Sequence, residues 1–294
     1  MNQEKLPLVK IGILGGTGLY EMEGLEVKEK IDLRTPFGSP SSSVVIGVLE
    51  GKKVAFLSRH GPGHRLQPSE INYRANIYAF KMIGVERVIS VNSVGSLKES
   101  IEPRDMVFSD QYFDRTHRLN TFFGDGIVAH ISFAHPVCSE LSKVLYEGAR
   151  DLGLKAHLGG TYICIEGPAF STVAESNLYR SWGFDVIGMT SVSEAKLCRE
   201  AEICYATMNL VTDYDVWHEK EESVSVEMII ENLRQNIHNA KAVIKKAVVS
   251  LSDERSGKCE CVEALKNCIV TQPDHISSDA KKRLRFIIQK YVEI

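Results

Sequence analysis

Several things are scarce in this chain of 294 residues. There is no excess of basic charge: 35 Lys and Arg stand against 38 Asp and Glu, for a formal net charge of −3. A general nucleic-acid binder would carry a basic stripe, so that class is set aside. The opening stretch MNQEKLPLVK has no apolar run, which leaves no secretory signal to expect. No apolar run is long enough to span a bilayer. The expectation is a soluble, cytoplasmic protein. Internal repeats and low-complexity linkers are missing as well. The seven cysteines are odd in number and irregular in spacing, which argues against a secreted disulfide framework. Cys259 and Cys261 form a CxC pair that would suit a redox device, a strained disulfide or half of a metal site. No second pair supplies the other half of a four-cysteine site, so zinc is not expected.

What is present is ordinary for a globular protein: 44% apolar and 25% charged residues. Apolar runs at 9–16, 43–50, 53–58, 87–93, 105–110, 160–167, 185–189 and 203–211 read as strands, several apolar throughout as in a sheet covered on both faces. Helical patterns lie between them. One runs over 68–84, with Ser69 as its cap and Gly84 as its stop. Another covers 135–153, and a long amphipathic stripe runs from Val226 through Leu233 and Ile237 to Val248. The alternation predicts an α/β fold with a mixed, largely central sheet flanked by helices. The polar break at 252–259 divides a single domain, 1–252, from a C-terminal appendage, 253–294. Within that appendage Leu284, Ile287, Ile288 and Tyr291 stripe a second amphipathic helix, which has to dock on its own subunit or a neighbour.

Chemistry gathers at strand ends. GILGGTGLY puts Thr17 in a cluster of glycines whose backbone N–H groups can approach an anion, although a tight turn would also explain it. It is neither a Walker A loop, having no Gly-Lys-Ser/Thr, nor a dinucleotide fingerprint, since Glu21 stands where the third glycine belongs. In SRHGPGHRLQPS, Arg59 beside His60 suits an oxyanion. His60 and His64 without a nearby carboxylate or cysteine make a poor metal site. Asn92 and Ser93 end one strand, and Met189 and Thr190 end another, with Thr190 opening a helix where anions bind. Asp213 and Asp215 stand two apart in TDYD. In a continuing strand they would share a face, and one of two adjacent carboxylates resists ionisation. A turn, a magnesium clamp and a carboxylate pair reading an amine-bearing heterocycle all fit that spacing. Phe170 is placed to stack on a flat ring.

In this order, IGILGGTGLY, RHGPGHRLQPSEINYRANIYAF, VGSL, DQYFDRTHR, IEGPAFSTVAES, IGMTSVSEA, CYATMNLVTDYDVW and EESVSVEMI closely resemble the 5′-methylthioadenosine phosphorylase family. That family lies in the trimeric branch of the purine nucleoside phosphorylases. The resemblance covers residues 8–250. It implies phosphorolysis of methylthioadenosine to adenine and methylthioribose-1-phosphate, with phosphate as co-substrate and no metal or other cofactor. It implies that Thr17, Arg59, His60, Asn92, Ser93 and Thr190 bind phosphate and that Met189 lies against the ribose. Phe170 and Ser171 would line the base pocket, and Val226, Ile229 and Ile230 would surround the methylthio group. His130 would be lent across a subunit interface of a homotrimer or a dimer of trimers. Asp213 and Asp215 would recognise adenine at N7 and N6, with Asp213 as the protonated donor. The cysteine-rich tail resembles that of a thermophilic subtype, which implies a Cys138–Cys204 disulfide and a Cys259–Cys261 bridge. The chain departs from the family at Asn92-Ser93, where Thr-Ala or Ser-Ala is usual, and at Ala169 and Ser193. Asn at 92 is common in relatives acting on 6-oxopurines, which makes a phosphorylase of inosine or methylthioinosine the runner-up.

Overall fold

A computed structural model describes residues 6–16, 19, 22–218, 226–257 and 259–294, with the backbone alone for 226–230. The chain folds as one mixed sheet with helices on both faces. The hub is the strand β5 (Arg87–Ser96). The strands β1 (Ile11–Gly15) and β11 (Cys204–Asp213) both pair with it in parallel, and β4 (Lys52–Ser58) is parallel to β1. β3 (Val44–Leu49) and β2 (Glu26–Ile31) extend the sheet beyond β4 as antiparallel neighbours. The short β10 (Val186–Gly188) runs antiparallel to the end of β5 and parallel to β9 (Thr161–Ile165), which pairs with β7 (Gln111–Arg115). β6 (Met106–Phe108) lies against β11, and β8 (Ala156–Leu158) pairs with β6.

Side-chain alternation along the central strands feeds two cores. Val88, Ala55, Leu57 and Tyr205 point into one, with α1 (Tyr73–Met82), α4 (Ser191–Glu200) and α6 (Ser278–Ile288) packed there. Ile89, Val54, Phe56 and Ala206 point into the other, against α2 (Ser139–Asp151) and α5 (Val226–Ser250). Two successive residues serve opposite faces, and this is why these strands are apolar without interruption.

All eight expected strands are present. The strands that sequence reasoning omitted, β2, β7 and β8, are short or polar. β2 reads EVKEKI and is almost wholly exposed, as an edge strand that must resist pairing with another chain. α1 is capped by Asn72, whose side chain accepts from the Ala75 N–H, and not by Ser69. The stretch before it is spent on a turn in which the Glu70 N–H donates to Gln67 O, so the helix cannot begin there. α6 docks on its own subunit: Leu284, Ile287 and Ile288 join the first core, and the Tyr78 hydroxyl donates to Arg283 O at 2.8 Å. α3 (Val173–Ser181) starts with a capping box between Thr172 and Glu175.

Candidate active site

The parallel strands β1, β4, β5 and β11 end on the same side of the sheet, where ligands of open α/β sheets bind. β10 runs the other way along β5, pairing Val186 with Ser96 and Ile187 with Gly95, so its end lies beside the C-terminal part of that strand. A cavity of 690 Å³ opens there, of the size that takes a small ligand. Arg59, His60, Asn92, Ser93, Phe170, Ser171, Met189, Thr190, Asp213 and Asp215 all line it, although they come from five stretches of chain. Thr17 lies outside the described residues, as do the side chains of Val226, Ile229 and Ile230. Leu233 and Ile237, further along α5, line the same cavity. His130 does not. It is exposed, and its backbone N–H donates to Cys268 O beside the C-terminal segment.

One end of the cavity is a dense network. Arg59 follows β4, and its backbone N–H donates to Gly15 O at the end of β1. Its side chain is 3% exposed and clasps Glu194 of α4 through both Nε and Nη2. Nη2 also reaches Ser90 Oγ at 2.8 Å, and Nη1 donates to Val91 O at 3.0 Å. Burial alone would lower the Arg59 pKa, but the Glu194 carboxylate outweighs it and the pKa is raised. Glu194 was not singled out in the sequence, although a buried arginine requires a partner of this kind. His60 is also pinned. Its Nδ1 lies 2.8 Å from Leu66 O, its ring stacks on His64, and burial together with the Arg59 charge lowers its pKa to about 4. A carbonyl only accepts, so Nδ1 carries the proton, and Nε2 of the neutral ring is left as an acceptor.

Asn92 differs from expectation. Its Nδ2 donates to Thr207 Oγ1 at 2.7 Å and Ser90 Oγ at 3.1 Å, and its Oδ1 accepts from Thr190 Oγ1 at 2.9 Å. Both the amide and the Thr190 hydroxyl are therefore engaged within the protein. Thr190 does not cap α4 through its side chain, so the first backbone donors of that helix take no bond from it. Ser93 is exposed on the cavity wall.

The other end is built around TDYD. β11 ends at Asp213 after a register shift between Val211 and Asp213, so Asp215 is not in the strand. It sits in the left-handed region at φ 54°, and its N–H donates to Asp213 Oδ1 at 2.8 Å. The spacing of two works through this Asx turn, not through strand alternation. Thr212 Oγ1 lies 2.6 Å from Asp213 Oδ2. Asp215 Oδ2 is buried without a partner, and burial raises the Asp215 pKa. Burial outweighs the bonds from Ser176 and the Val216 N–H that favour the charged form of Asp215. Gly95 of β5 makes room for the pair: a Cβ there would stand 2.9 Å from Asp213 Oδ1 and 3.3 Å from Asp215 Cβ. On α5, Asn232 and Asn236 donate to Thr212 O and Val211 O, holding this strand end from the other side.

Between the ends lies Met189. Arg118, another residue not picked out from sequence, fixes this wall. It donates to Met189 O, Glu166 O and the Tyr73 hydroxyl and pairs with Glu166 Oε1 at 2.8 Å. The loop carrying Phe170 and Ser171 follows directly. Phe170 is exposed at the cavity mouth, and Ser171 Oγ is buried without a partner.

Residues 10–249 match the phosphorylase superfamily model. The S-methyl-5′-thioadenosine phosphorylase of Geobacter sulfurreducens is 56% identical, over 96% of this chain and 99% of its own. A crystal structure of a methylthioadenosine phosphorylase from an antarctic soil metagenomic library is 48% identical. It superposes with a TM-score of 0.91, over 95% of this chain and 99% of that one. Methylthioadenosine phosphorylase from Schistosoma mansoni, solved in complex with adenine, is 34% identical with a TM-score of 0.82, over 88% of this chain and 96% of that one. The chain belongs to the phosphorylase superfamily, in its methylthioadenosine phosphorylase family.

Proposed function

We propose that this protein cleaves 5′-methylthioadenosine with phosphate, giving adenine and 5-methylthioribose-1-phosphate. One observation carries the reading: a single cavity is lined by Arg59, His60 and Thr190 at one end and by a carboxylate pair at the other. Phosphate sits against the second N–H of Arg59 Nη1, the start of α4, Ser93 and Thr17. The His60 Nε2 accepts from a protonated phosphate oxygen. Asn92 holds Thr190 and Thr207 in place, so its presence says nothing about the base, and the 6-oxopurine reading loses its main support. Met189 lies under the ribose, and Phe170 and Ser171 border the base. Val226, Ile229 and Ile230 surround the methylthio group. The apolar lining by Leu233 and Ile237 on the same helix, with Ile229 four residues before Leu233, supports this.

Cleavage of the glycosidic bond leaves positive charge on the sugar and negative charge on the purine. The phosphate faces the first as nucleophile and counter-charge. The amine of adenine gives Asp215 Oδ2 the donor it lacks, which favours ionised Asp215. The charge on Asp215 then raises the proton affinity of Asp213, which passes a proton to N7. No metal or further cofactor enters this scheme. The working assembly is a homotrimer, or a dimer of trimers, in which His130 serves a neighbour's cavity. Its exposure away from its own cavity supports that. A cytoplasmic setting fits the seven free thiols, and among the described residues no helix is long and apolar enough to cross a membrane.

The test is adenine release with and without phosphate from methylthioadenosine, adenosine and inosine. Release should require phosphate. Methylthioadenosine should exceed adenosine by about ten- to a hundredfold in kcat/KM, because a buried 5′-hydroxyl would lack a partner. Release without phosphate would make the protein a nucleosidase, and equal use of inosine would overturn the base assignment.

A further inference from the structure

The CxC pair has the other half of its site after all, supplied by the fold and not by the sequence. Cys138 immediately precedes α2, and its N–H donates to Tyr205 O. Cys204 opens β11. Cys259 and Cys261 flank Glu260 in a single turn of 3₁₀ helix, Glu260–Glu263. These three stretches meet on the α2 and α5 face of the sheet, where the four residues are between 2% and 9% exposed within an apolar core. Their sulfurs all lie within 4.8 Å of one another. Cys259 Sγ is 3.5 Å from Cys204 Sγ and 3.8 Å from Cys138 Sγ. Neither implied disulfide is present, and all seven cysteines are thiols.

The separations carry chemical meaning. A disulfide brings sulfurs to about 2.05 Å. Four thiolates at about 2.3 Å around a tetrahedral zinc ion stand about 3.8 Å from each other. The polarisable thiols are weak partners for each other in this apolar pocket, and a soft divalent cation satisfies all four at once. An approach exists: a second cavity of 590 Å³ is lined by Cys138, Cys259 and Cys261, with Lys143 and Arg199 beside Asp110, Glu140 and Glu260. None of the four cysteines lines the cavity of the proposed active site.

We infer that Cys138, Cys204, Cys259 and Cys261 hold one zinc ion per chain. Four protein ligands close the coordination sphere, so the ion is structural. It fastens the appendage that follows the polar break at 252–258 to the start of α2 and of β11. Polar contacts of the appendage near the start of β11 include the Leu265 N–H on Glu202 Oε1 and Arg255 Nη1 on Glu202 O. Zinc binding to four thiols releases up to four protons, so loading falls at acid pH.

The experiment is metal analysis of the full-length protein purified under reductant, with zinc chloride alone re-added after chelation. One zinc per chain is expected, with proton release on loading. Stripping should lower the thermal midpoint by about 10 °C. Cys259→Ser/Cys261→Ser should lose the zinc and show that same drop while adenine release at ambient temperature stays within about twofold. Cys268→Ser, outside the cluster, should keep the zinc. Reduced protein that stays zinc-free in added zinc would overturn the inference, and so would a different metal in the site. Four thiols consumed as two disulfides in the native protein would overturn it too. The stoichiometry of the unmodified chain decides the matter even if the double variant fails to fold.

Discussion

The two ends of the active-site cavity are built on opposite terms. At the end proposed for phosphate the polar groups are bound to each other: Arg59 to Glu194, Asn92 to Thr190 and Thr207, His60 to Leu66 O. At the end proposed for the base, Asp215 Oδ2 and Ser171 Oγ are buried without a hydrogen-bond partner among the described residues. The first arrangement is stable by itself and costs little reorganisation when an anion arrives. The second leaves polar atoms to be completed by the ligand, and it is there that discrimination is strongest, because a ligand that fails to supply the bond leaves it unmade.

The largest expected effect breaks the self-contained end. Glu194→Ala leaves Arg59 charged and buried without its partner, which should remove about 3–5 kcal/mol of folding stability in urea unfolding. It should also raise the KM for phosphate. An unchanged unfolding midpoint would show that the network does not hold this end together.

A smaller effect sharpens the role of the other end. Asp213→Asn removes the carboxyl proton but keeps an N–H to offer, so kcat on methylthioadenosine should fall about a hundredfold. The ratio of inosine to methylthioadenosine turnover should rise, since an amide can donate to a 6-oxo group. If the ratio stays put, Asp213 does not face the reading edge of the base.

The smallest effect contrasts the ends by the sign of their pH dependence. His60 has a lowered folded pKa, so the unfolded chain binds its proton first as pH falls. Stability is lost from pH 6.5 down to about 4. His60→Gln should flatten that slope. Asp215 has a raised folded pKa, so the folded chain keeps its proton longer and stability falls as pH rises from 3.8. Asp215→Asn should therefore stabilise the unliganded protein at neutral pH, and the gain should vanish in acid. Two slopes of the same sign, read from thermal midpoints across pH 3–8, would erase the distinction.

Much of this was legible in the residues. The buried strands announced themselves because a sheet covered on both faces needs apolar side chains at every position. α5 and α6 were readable from their stripes. The exposed β2 was not, because an edge strand keeps its solvent face charged and looks like a loop. The start of α1 was misplaced because Ser69 and Asn72 are both good caps and only the turn at 67–70 decides between them.

The site divides in the same way. Its residues were recognisable because strand ends carrying Arg, His, Thr and Asp are unusual in composition, and their motifs keep a fixed order along the chain. Which group bonds which was decided by the tertiary structure. Arg59 and Glu194 are separated by 135 positions, Asn92 and Thr190 by 98, and Cys138 and Cys259 by 121. Local pattern records what a segment must bury and where it must turn. It holds no record of which distant segment lies opposite, because that is set by the pairing of strands and the packing of helices onto them. The sequence alone therefore named the donors, the carboxylates and the thiols. The sheet that brings β4 beside β1, β10 back along β5, and Cys138 and Cys204 under the CxC turn determined what each one can do.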